Sequence, residues 1–276
     1  MLQVLGLCRF SYPALQGFQT AHDDIEARRA ALYDPARLDL RLTWFEHVCL
    51  PGLANQTNPH WTLLLLLGDD FPEPWRSRLE ALIAEVPQIV PVYRPPGNHR
   101  AVCGEVLRAA RDRAATWVAE VRMDDDDAVA TDFVERLRAD WPRVRPFAEE
   151  EGLAAVDYQR GVVLEAGPGK MTLHPRVARY WGTALALILR RDDARSMMDF
   201  PHHRVWWRMP TITRHKPMIF VRGSHATNDS HINLRETITL EMKSPAVERV
   251  LKTRFAIDLP AFRSALDRLS AEAERS

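Results

Sequence analysis

Residues 117–123 alternate between two faces and end in four consecutive carboxylates. Trp117, Ala119, Val121 and Met123 fall on one face, and Val118, Glu120 and Arg122 on the other. A period of two is typical of a β-strand. Residues 124–127 follow directly and are all aspartate. The pattern therefore predicts a strand whose carboxyl end presents acidic side chains.

This acidic run needs an explanation, because neighbouring anions repel one another. A folded chain tolerates them where water or a cation offsets the charge. In α/β sheets, the carboxyl ends of strands are also where ligands bind. The alternative is a solvated loop whose acids only favour the next helix terminus. That helix is predicted from the stripe Phe133, Val134, Leu137 and Trp141, with Asp132 and Glu135 at capping-box spacing.

The first half of the chain alternates predicted strands with predicted helices. Strands are expected at residues 3–10, 61–67 and 89–93, and the second of these also ends in acids, Asp69 and Asp70. Helical spacing recurs over residues 23–33, 42–53, 75–86 and 102–114, with Pro51 expected to bend the second helix. Pro91 suggests that its strand lies at a sheet edge. Strands and helices in alternation favour a mostly parallel sheet.

The second half has a different pattern. Short strands are predicted at residues 153–158, 162–165, 171–173 and 218–221, with hairpins at the turn-prone residues 160–161 and 167–169. Residues 184–189 could form a strand or a helix, and residues 199–215 read as irregular. Two helices are expected to finish the chain, one opened by Ser244 and Pro245.

Composition limits the possible classes of protein. Of 276 residues, 46% are hydrophobic and 27% charged, which is typical of a globular protein. Lys plus Arg equals Asp plus Glu, 37 each, so the balance gives no reason to expect a nucleic-acid partner. Residues 190–222 are rich in Arg and His, which suits either a phosphate-bearing ligand or a solvated surface. The three spaced cysteines indicate reduced thiols and a cytoplasmic location. The longest apolar run, residues 63–67, is too short to span a bilayer, and peripheral membrane contact stays open.

The acids suggest a specific chemistry. If strand geometry persists, Asp124 and Asp126 point the same way. Mg²⁺ or Mn²⁺ typically uses one or two carboxylates together with substrate phosphates, so we expect a metal that bridges to a diphosphate. The sequence contains no Ca²⁺-binding loop pattern, phosphate-cradling glycine motif, nucleophile elbow or zinc spacing.

Several segments together resemble a known family. They are Phe45-Glu46-His47, Leu50-Pro51, Gln56-Thr57-Asn58, Trp61, Gly68-Asp69, and Val121-Arg122-Met123 followed by the four aspartates and Ala128. The chain resembles the rhamnosyltransferase family of bacterial glycosyltransferases over roughly residues 2–233. The resemblance implies a GT-A-like α/β fold: a mostly parallel central sheet flanked by helices, a mixed acceptor-side half and a helical C-terminal tail. The implied boundaries are 1–130 for the nucleotide-binding half, 131–240 for the acceptor-side half and 241–276 for the helical extension.

The same resemblance implies roles for individual residues. Asp124 and Asp126 occupy the D-x-D positions, with Asp126 the direct Mn²⁺ or Mg²⁺ ligand and Asp124 also near the ribose. Arg9, Asp69 and Asp70 lie where such folds meet the nucleotide. His225 matches a late histidine used on the metal or the diphosphate. The base that activates the acceptor is not fixed, and Asp199, His202 and His203 are candidates by position only.

These expectations lead to one principal hypothesis and two rivals. The principal hypothesis is a metal-dependent glycosyltransferase that moves a sugar, with rhamnose a candidate, from a nucleoside-diphosphate donor to a hydroxyl of a saccharide or other acceptor. It requires the polar run at residues 222–231 to fold back over Asp124 and Asp126. The rivals are a metal-dependent phosphohydrolase or nucleotidyltransferase, which would use the same acids, and a non-catalytic cation- or sugar-binding module.

Overall fold

The first half of the chain alternates strands with helices, as its apolar pattern predicts. The structure is a computed structural model that describes residues 1–15, 24–167, 169–228 and 232–275. Its elements up to the acidic strand are β1 (Leu2–Arg9), α1 (Ile25–Leu32), α2 (Pro35–Trp44), α3 (Leu50–Ala54), β2 (Thr62–Gly68), α4 (Trp75–Ile83), β3 (Ile89–Arg94), α5 (His99–Ala109) and β4 (Trp117–Asp124).

The second half is richer in short strands. Its elements are β5 (Ala128–Val129), α6 (Phe133–Glu151), β6 (Leu153–Tyr158), β7 (Arg160–Gly167), β8 (Lys170–Val177), β9 (Leu185–Arg190), β10 (Thr211–Arg214), β11 (Phe220–Ser224), β12 (Ile238–Thr239), α7 (Ser244–Phe255) and α8 (Leu259–Ala273). The segment read as irregular contains two 3₁₀ turns, Met197–Asp199 and His202–Trp207, before β10.

Seven strands form the central sheet, in the order β10-β6-β9-β4-β1-β2-β3. Only β9 runs antiparallel to its neighbours, β4 and β6, and the other neighbouring pairs are parallel. The predicted α/β class with a mostly parallel sheet is confirmed. The strand that contains Pro91, β3, lies at the edge, where a missing N–H costs no ladder hydrogen bond.

The centre of this sheet is buried on both faces. Leu63, Leu65 and Leu67 of β2 belong to one apolar cluster, and Leu64 and Leu66 to a second cluster on the opposite face. Successive side chains of a strand alternate between faces, so a strand covered on both sides needs apolar residues at every position. This arrangement explains the unalternating run of residues 63–67.

Five of the later strands form a second sheet, in the order β12-β8-β7-β11-β5. The predicted hairpin at residues 167–169 is confirmed in the antiparallel pairing of β7 with β8. The hairpin predicted at residues 160–161 is wrong, because the chain leaves the first sheet there and enters the second. A Cβ on Gly161 would lie 2.3 Å from the ring of Phe220. Gly161 therefore allows close strand packing rather than a turn.

One local expectation about the helices is wrong. Asp132 precedes α6 but makes no capping hydrogen bond. Its carboxylate pairs with Arg136 and Arg254 instead, at 2.5 and 2.7 Å, while Glu135 accepts a hydrogen bond from Thr57. The predicted capping box is therefore wrong, because guanidinium groups take the carboxylate.

Pro51, which was expected to bend its helix, comes just after an irregular part of it. A π-helical turn, Phe45–Cys49, joins α2 to α3, and Pro51 follows it. A wider turn before a proline relieves the missing N–H and the clash with the preceding carbonyl. None of the helices in the described ranges combines the length and the apolar character needed to cross a membrane.

Candidate functional site

The four aspartates form the corner at which the chain passes from the first sheet to the second. β4 ends at Asp124, β5 begins at Ala128, and the N–H of Asp127 donates to the carbonyl of Asp124 at 3.1 Å. Asp125, Asp126 and Asp127 are 0, 2 and 4% exposed. The interpretation as a solvated loop is therefore wrong.

The turn gathers three of the four carboxylates. One oxygen each from Asp124, Asp126 and Asp127 lies within 4.8 Å of the other two. Asp125 does not belong to this group, and its carboxylate accepts from Nε of Arg41 at 3.0 Å. The expected meeting of Asp124 and Asp126 is observed, but a turn produces it rather than continued strand alternation. The third member, Asp127, was not predicted.

The three acids differ in their ionisation. Burial, with the charges of Asp126 and Asp124, raises the pKa of Asp127 to about 7. Thr183 Oγ1 donates to its carboxylate at 2.5 Å. Burial also acts to raise the pKa of Asp126, but Arg41, with the hydrogen bonds from His225 and Asn228, holds it below its usual range. Asp126 is therefore ionised at neutral pH.

The polar segment after β11 folds back over this cluster, as predicted. Nε2 of His225 lies 3.1 Å from Oδ2 of Asp126, and the side-chain amide of Asn228 donates to the same oxygen at 2.5 Å. A Cβ on Gly223 would lie 2.5 Å from the backbone oxygen of Asp126, so only glycine permits this approach. Residues 229–231 of the predicted run lie outside the described residues.

The cluster opens into a cavity of about 280 Å³. The cavity is lined by five arginines, Arg9, Arg37, Arg41, Arg122 and Arg222, against the three carboxylates of Asp124, Asp126 and Asp127. Arg9 pairs with Asp124 and lies 3.0 Å from Nε2 of His99, whose pKa is lowered to about 3 by burial and by Arg9 itself. The surplus of guanidinium groups favours an anionic ligand.

The predicted nucleotide-contacting residues divide into two sets. Arg9 and Asp124 line the cavity. Asp69 and Asp70 follow β2 and are exposed, and neither belongs to the described residues that line it. Asp70 pairs with Nε of Arg29 at 2.7 Å and accepts from the hydroxyl of Tyr33 at 2.9 Å.

Of the two principal candidates for the base, Asp199 and His202, the second lines the cavity. Nδ1 of His202 lies 2.5 Å from the carbonyl oxygen of Tyr180. A carbonyl can only accept, so Nδ1 carries the proton and Nε2 keeps a lone pair. Burial and Arg122 lower the pKa of His202 to about 4.

The other candidates lie elsewhere. The carboxylate of Asp199 accepts from the backbone N–H of Ser196 at 2.7 Å, which completes a capping box, and Asp199 is outside the set of described cavity residues. His203 is exposed and is likewise outside that set.

Sequence reasoning missed Arg41, Arg37, His99 and Thr183. Arg41 carried a usable signal, because it lies three residues after Leu38 and four before Phe45, on the buried stripe of its helix. A charge on an apolar helix face indicates a buried partner. Thr183 carried no such signal, since a loop beside Ala184, with φ of 62°, brings it to Asp127.

Solved structures show a distant likeness. TarS residues 1–349 from S. aureus matches with 10% identity and a TM-score of 0.41, covering 80% of this chain and 60% of that one. The same protein in complex with UDP-GlcNAc matches with 9% identity and a TM-score of 0.41, covering 98% and 71%. A 4-diphosphocytidyl-2C-methyl-D-erythritol synthase from Anaerococcus prevotii matches with 9% identity and a TM-score of 0.33, covering 97% and 96%. The chain thus spans less than two thirds of the first of these structures.

A sequence family gives the firmer comparison. No curated protein sequence matches the chain. Residues 3–236, however, match a single family along most of the chain, and that range includes the acidic corner, Arg41, His202 and His225. The protein therefore belongs to the family described as "Putative rhamnosyl transferase".

Proposed function

We propose that this enzyme is a metal-dependent glycosyltransferase that moves a sugar from a nucleoside-diphosphate donor to a hydroxyl group of an acceptor. Rhamnose is the first sugar to test, and a surface polysaccharide the first acceptor class. The observation that carries the proposal is the cluster of Asp124, Asp126 and Asp127, with His225 in contact with Asp126, beneath a cavity lined by five arginines.

The donor atoms of this cluster suit Mn²⁺ or Mg²⁺. Carboxylate oxygens are the usual ligands of both ions, and an imidazole nitrogen shifts the preference toward the softer Mn²⁺. Nε2 of His225 is hydrogen-bonded to Oδ2 of Asp126 at 3.1 Å, so His225 would become a ligand only after Nε2 loses its proton. A bound ion would offset the negative charge that develops on the departing diphosphate.

The arginines supply the second part of the site. Arg9, Arg37 and Arg222 lie around the same cavity as the acids. A guanidinium group presents several N–H donors in a fixed plane and binds phosphate oxygens in pairs. These three residues would hold the diphosphate before and after transfer. Arg41 has a different task, because its contacts with Asp125, Asp126 and His225 fix the acidic corner.

His202 is the better placed of the base candidates. Its Nε2 is the free nitrogen of an imidazole held through Nδ1 by the Tyr180 carbonyl. With a pKa of about 4, it is neutral at physiological pH and able to accept the proton of an acceptor hydroxyl. Asp199 is engaged with the Ser196 backbone and remains the weaker candidate.

A thermal-shift screen of UDP, GDP, CDP and dTDP, each with and without Mn²⁺, tests the donor site. A ligand present at about a hundred times its dissociation constant stabilises the folded state by about 2.7 kcal/mol. We expect one nucleotide to stabilise the protein, and to do so more strongly with Mn²⁺. Stabilisation by none of the four would contradict the proposal.

Product analysis then separates the reaction classes. Mass spectrometry of an incubation with the matching sugar nucleotide and an acceptor should show the acceptor with one added sugar unit, a deoxyhexose if the sugar is rhamnose. Free phosphate or a joined nucleotide would identify a phosphohydrolase or a nucleotidyltransferase. An intact donor after prolonged incubation would leave only a binding function.

A further inference from the structure

A second cavity, of about 490 Å³, lies beside two exposed tryptophans. Trp206 is 60% exposed and Trp207 55%, and both line this cavity together with Tyr180, Arg208 and Glu151. Large exposed aromatic groups are costly to leave in water and mark surfaces that bind something. No part of the proposed donor chemistry uses them.

The fold holds these indoles in place without covering them. They end the 3₁₀ turn His202–Trp207, and Val205 of the same turn is fully buried and anchors it. The guanidinium carbon of Arg208 lies 4.4 Å from the centre of the Trp207 ring. An aromatic surface that is already ordered loses little conformational freedom when a ligand stacks on it.

One hydrogen bond joins the wall of the second cavity to the wall of the first cavity, which opens beside the acidic cluster. Tyr180 lines the second cavity, and its carbonyl oxygen lies 2.5 Å from Nδ1 of His202, which lines the first. His202 is also the candidate base. A ligand with a hydroxyl at His202 could therefore extend over Tyr180 toward the tryptophans.

The lining identifies the class of ligand. Flat apolar rings suit the faces of sugar rings, while Arg208 and Glu151 offer a donor and an acceptor for hydroxyl groups. An acid and a base on the same rim suit a neutral, polyhydroxylated chain better than the uniformly anionic surface of a membrane.

We propose that this second cavity is an acceptor subsite in which Trp206 and Trp207 stack on sugar units of an oligosaccharide, one or more units away from the reacting hydroxyl. The proposal rests on the proposed function, because it names the acceptor of that reaction. It implies that a longer saccharide binds better than a single sugar.

Saturation-transfer NMR and calorimetry with defined saccharides test this. The probes are linear trisaccharides of rhamnose, glucose, galactose and N-acetylglucosamine, each compared with its monosaccharide. We expect at least one trisaccharide to bind about tenfold more tightly than its monosaccharide. The double variant Trp206→Ala/Trp207→Ala should weaken that binding by roughly ten- to a hundredfold, as for the loss of aromatic contacts. The single variant Trp206→Phe, which keeps Trp207, should bind more tightly than the double variant.

The matched control is Phe147→Ala, since Phe147 is 45% exposed on α6 and lies outside the described lining of the second cavity. It should leave saccharide binding unchanged. Equal affinity for trisaccharide and monosaccharide, or equal affinity in the double variant and the parent, would overturn the subsite. So would tryptophan-dependent sedimentation with vesicles of anionic phosphatidylglycerol in the absence of saccharide binding.

Failure of the donor proposal would be seen separately. Nucleoside diphosphate and Mn²⁺ affinities, measured in the same preparations, should be unchanged in the tryptophan variants. A protein that binds no nucleotide would refute the proposed function, whereas a nucleotide-binding protein with no preference for longer saccharides would refute only the subsite.

Discussion

The imidazole of His225 lies against the indole of Trp44, with ring centroids 4.9 Å apart and planes inclined by 35°. Trp44 in turn meets Phe262 of α8 edge-on, with centroids 4.8 Å apart. Residues 237–275 lie beyond the range that matches the family, yet Phe262 supports a residue of the candidate site through a single intervening ring. The C-terminal helices therefore help to position His225.

Replacing Phe262 tests this support. Phe262→Leu should lower turnover by loosening Trp44, and the loss should disappear when His225 is already alanine, because residues that act through one another are not additive. Kinetic parameters of the two single variants and the double variant measure the coupling. Phe255→Leu, a buried phenylalanine of α7, is the control. An equal loss from Phe262→Leu in both backgrounds would mean a general effect on stability.

His225 itself should act on turnover. His225→Ala is expected to reduce it by roughly tenfold to a thousandfold, as for lost stabilisation of transition-state charge. Steady-state kinetics on a variant shown to be folded by circular dichroism would measure this, with the exposed His203→Ala as the control. Unchanged turnover would remove His225 from the reaction.

Asp126→Asn should abolish nucleotide-dependent Mn²⁺ binding, which calorimetry can detect. Repulsion among four acids alone predicts that this variant is more stable. The pKa of Asp126, however, is held below its usual range by Arg41 and its hydrogen-bond donors. The folded state therefore favours the charged form, and stability at neutral pH should fall. Preserved Mn²⁺ affinity would contradict the metal role, and a rise in melting temperature would contradict the electrostatic account.

Asp70→Ala tests the expected contact of Asp70 with the nucleotide. If Asp70 contacts the base or ribose, nucleotide affinity should fall whether Mn²⁺ is present or absent. Glu80→Ala, at a surface carboxylate of α4, should leave the affinity unchanged. A loss confined to the Mn²⁺-containing measurement would assign Asp70 to the metal instead. Unchanged affinity in both conditions would show that Asp70 does not bind the nucleotide and contacts only protein groups such as Arg29 and Tyr33.

Asp157 should make stability depend on pH. Burial raises its pKa to about 6, despite the hydrogen bond from the backbone N–H of Tyr180. The folded state then holds a proton that the unfolded chain releases near its ordinary pKa. The contribution of Asp157 to the free energy of unfolding therefore decreases as the pH rises toward 6.

Urea denaturation of the parent and of Asp157→Asn at about pH 4.5 and 7.5 measures this effect. From the lower to the higher pH, the free energy of unfolding of the variant should increase by about 2 kcal/mol relative to that of the parent, because each unit of pKa shift is worth about 1.36 kcal/mol. A constant difference between the two proteins would show that Asp157 titrates normally.

Local patterns in the sequence predicted the strands and their acidic ends, because a period of two, a run of leucines and an edge proline act over a few residues. The meeting of His225 with Asp126 was predicted instead from the resemblance to a family. Local patterns did not predict Arg41 as the partner of Asp125, nor the change of sheet at residue 160. Both depend on contacts between segments distant in the chain. Gly161 was misread because a glycine that allows a turn and one that admits a neighbouring ring look the same in a sequence.

The number of residues in the acidic corner is fixed by the strands on either side of it, which belong to different sheets. Asp124 is the last residue of β4 in one sheet, and Ala128 pairs with Val221 of β11 in the other. Inserting one residue between them would turn every side chain of β5 to its opposite face or would break its pairing with β11. The number of acids in this motif is thus constrained by architecture as much as by chemistry. Relatives should vary the residue types at positions 124–127 more readily than the spacing between the two strands.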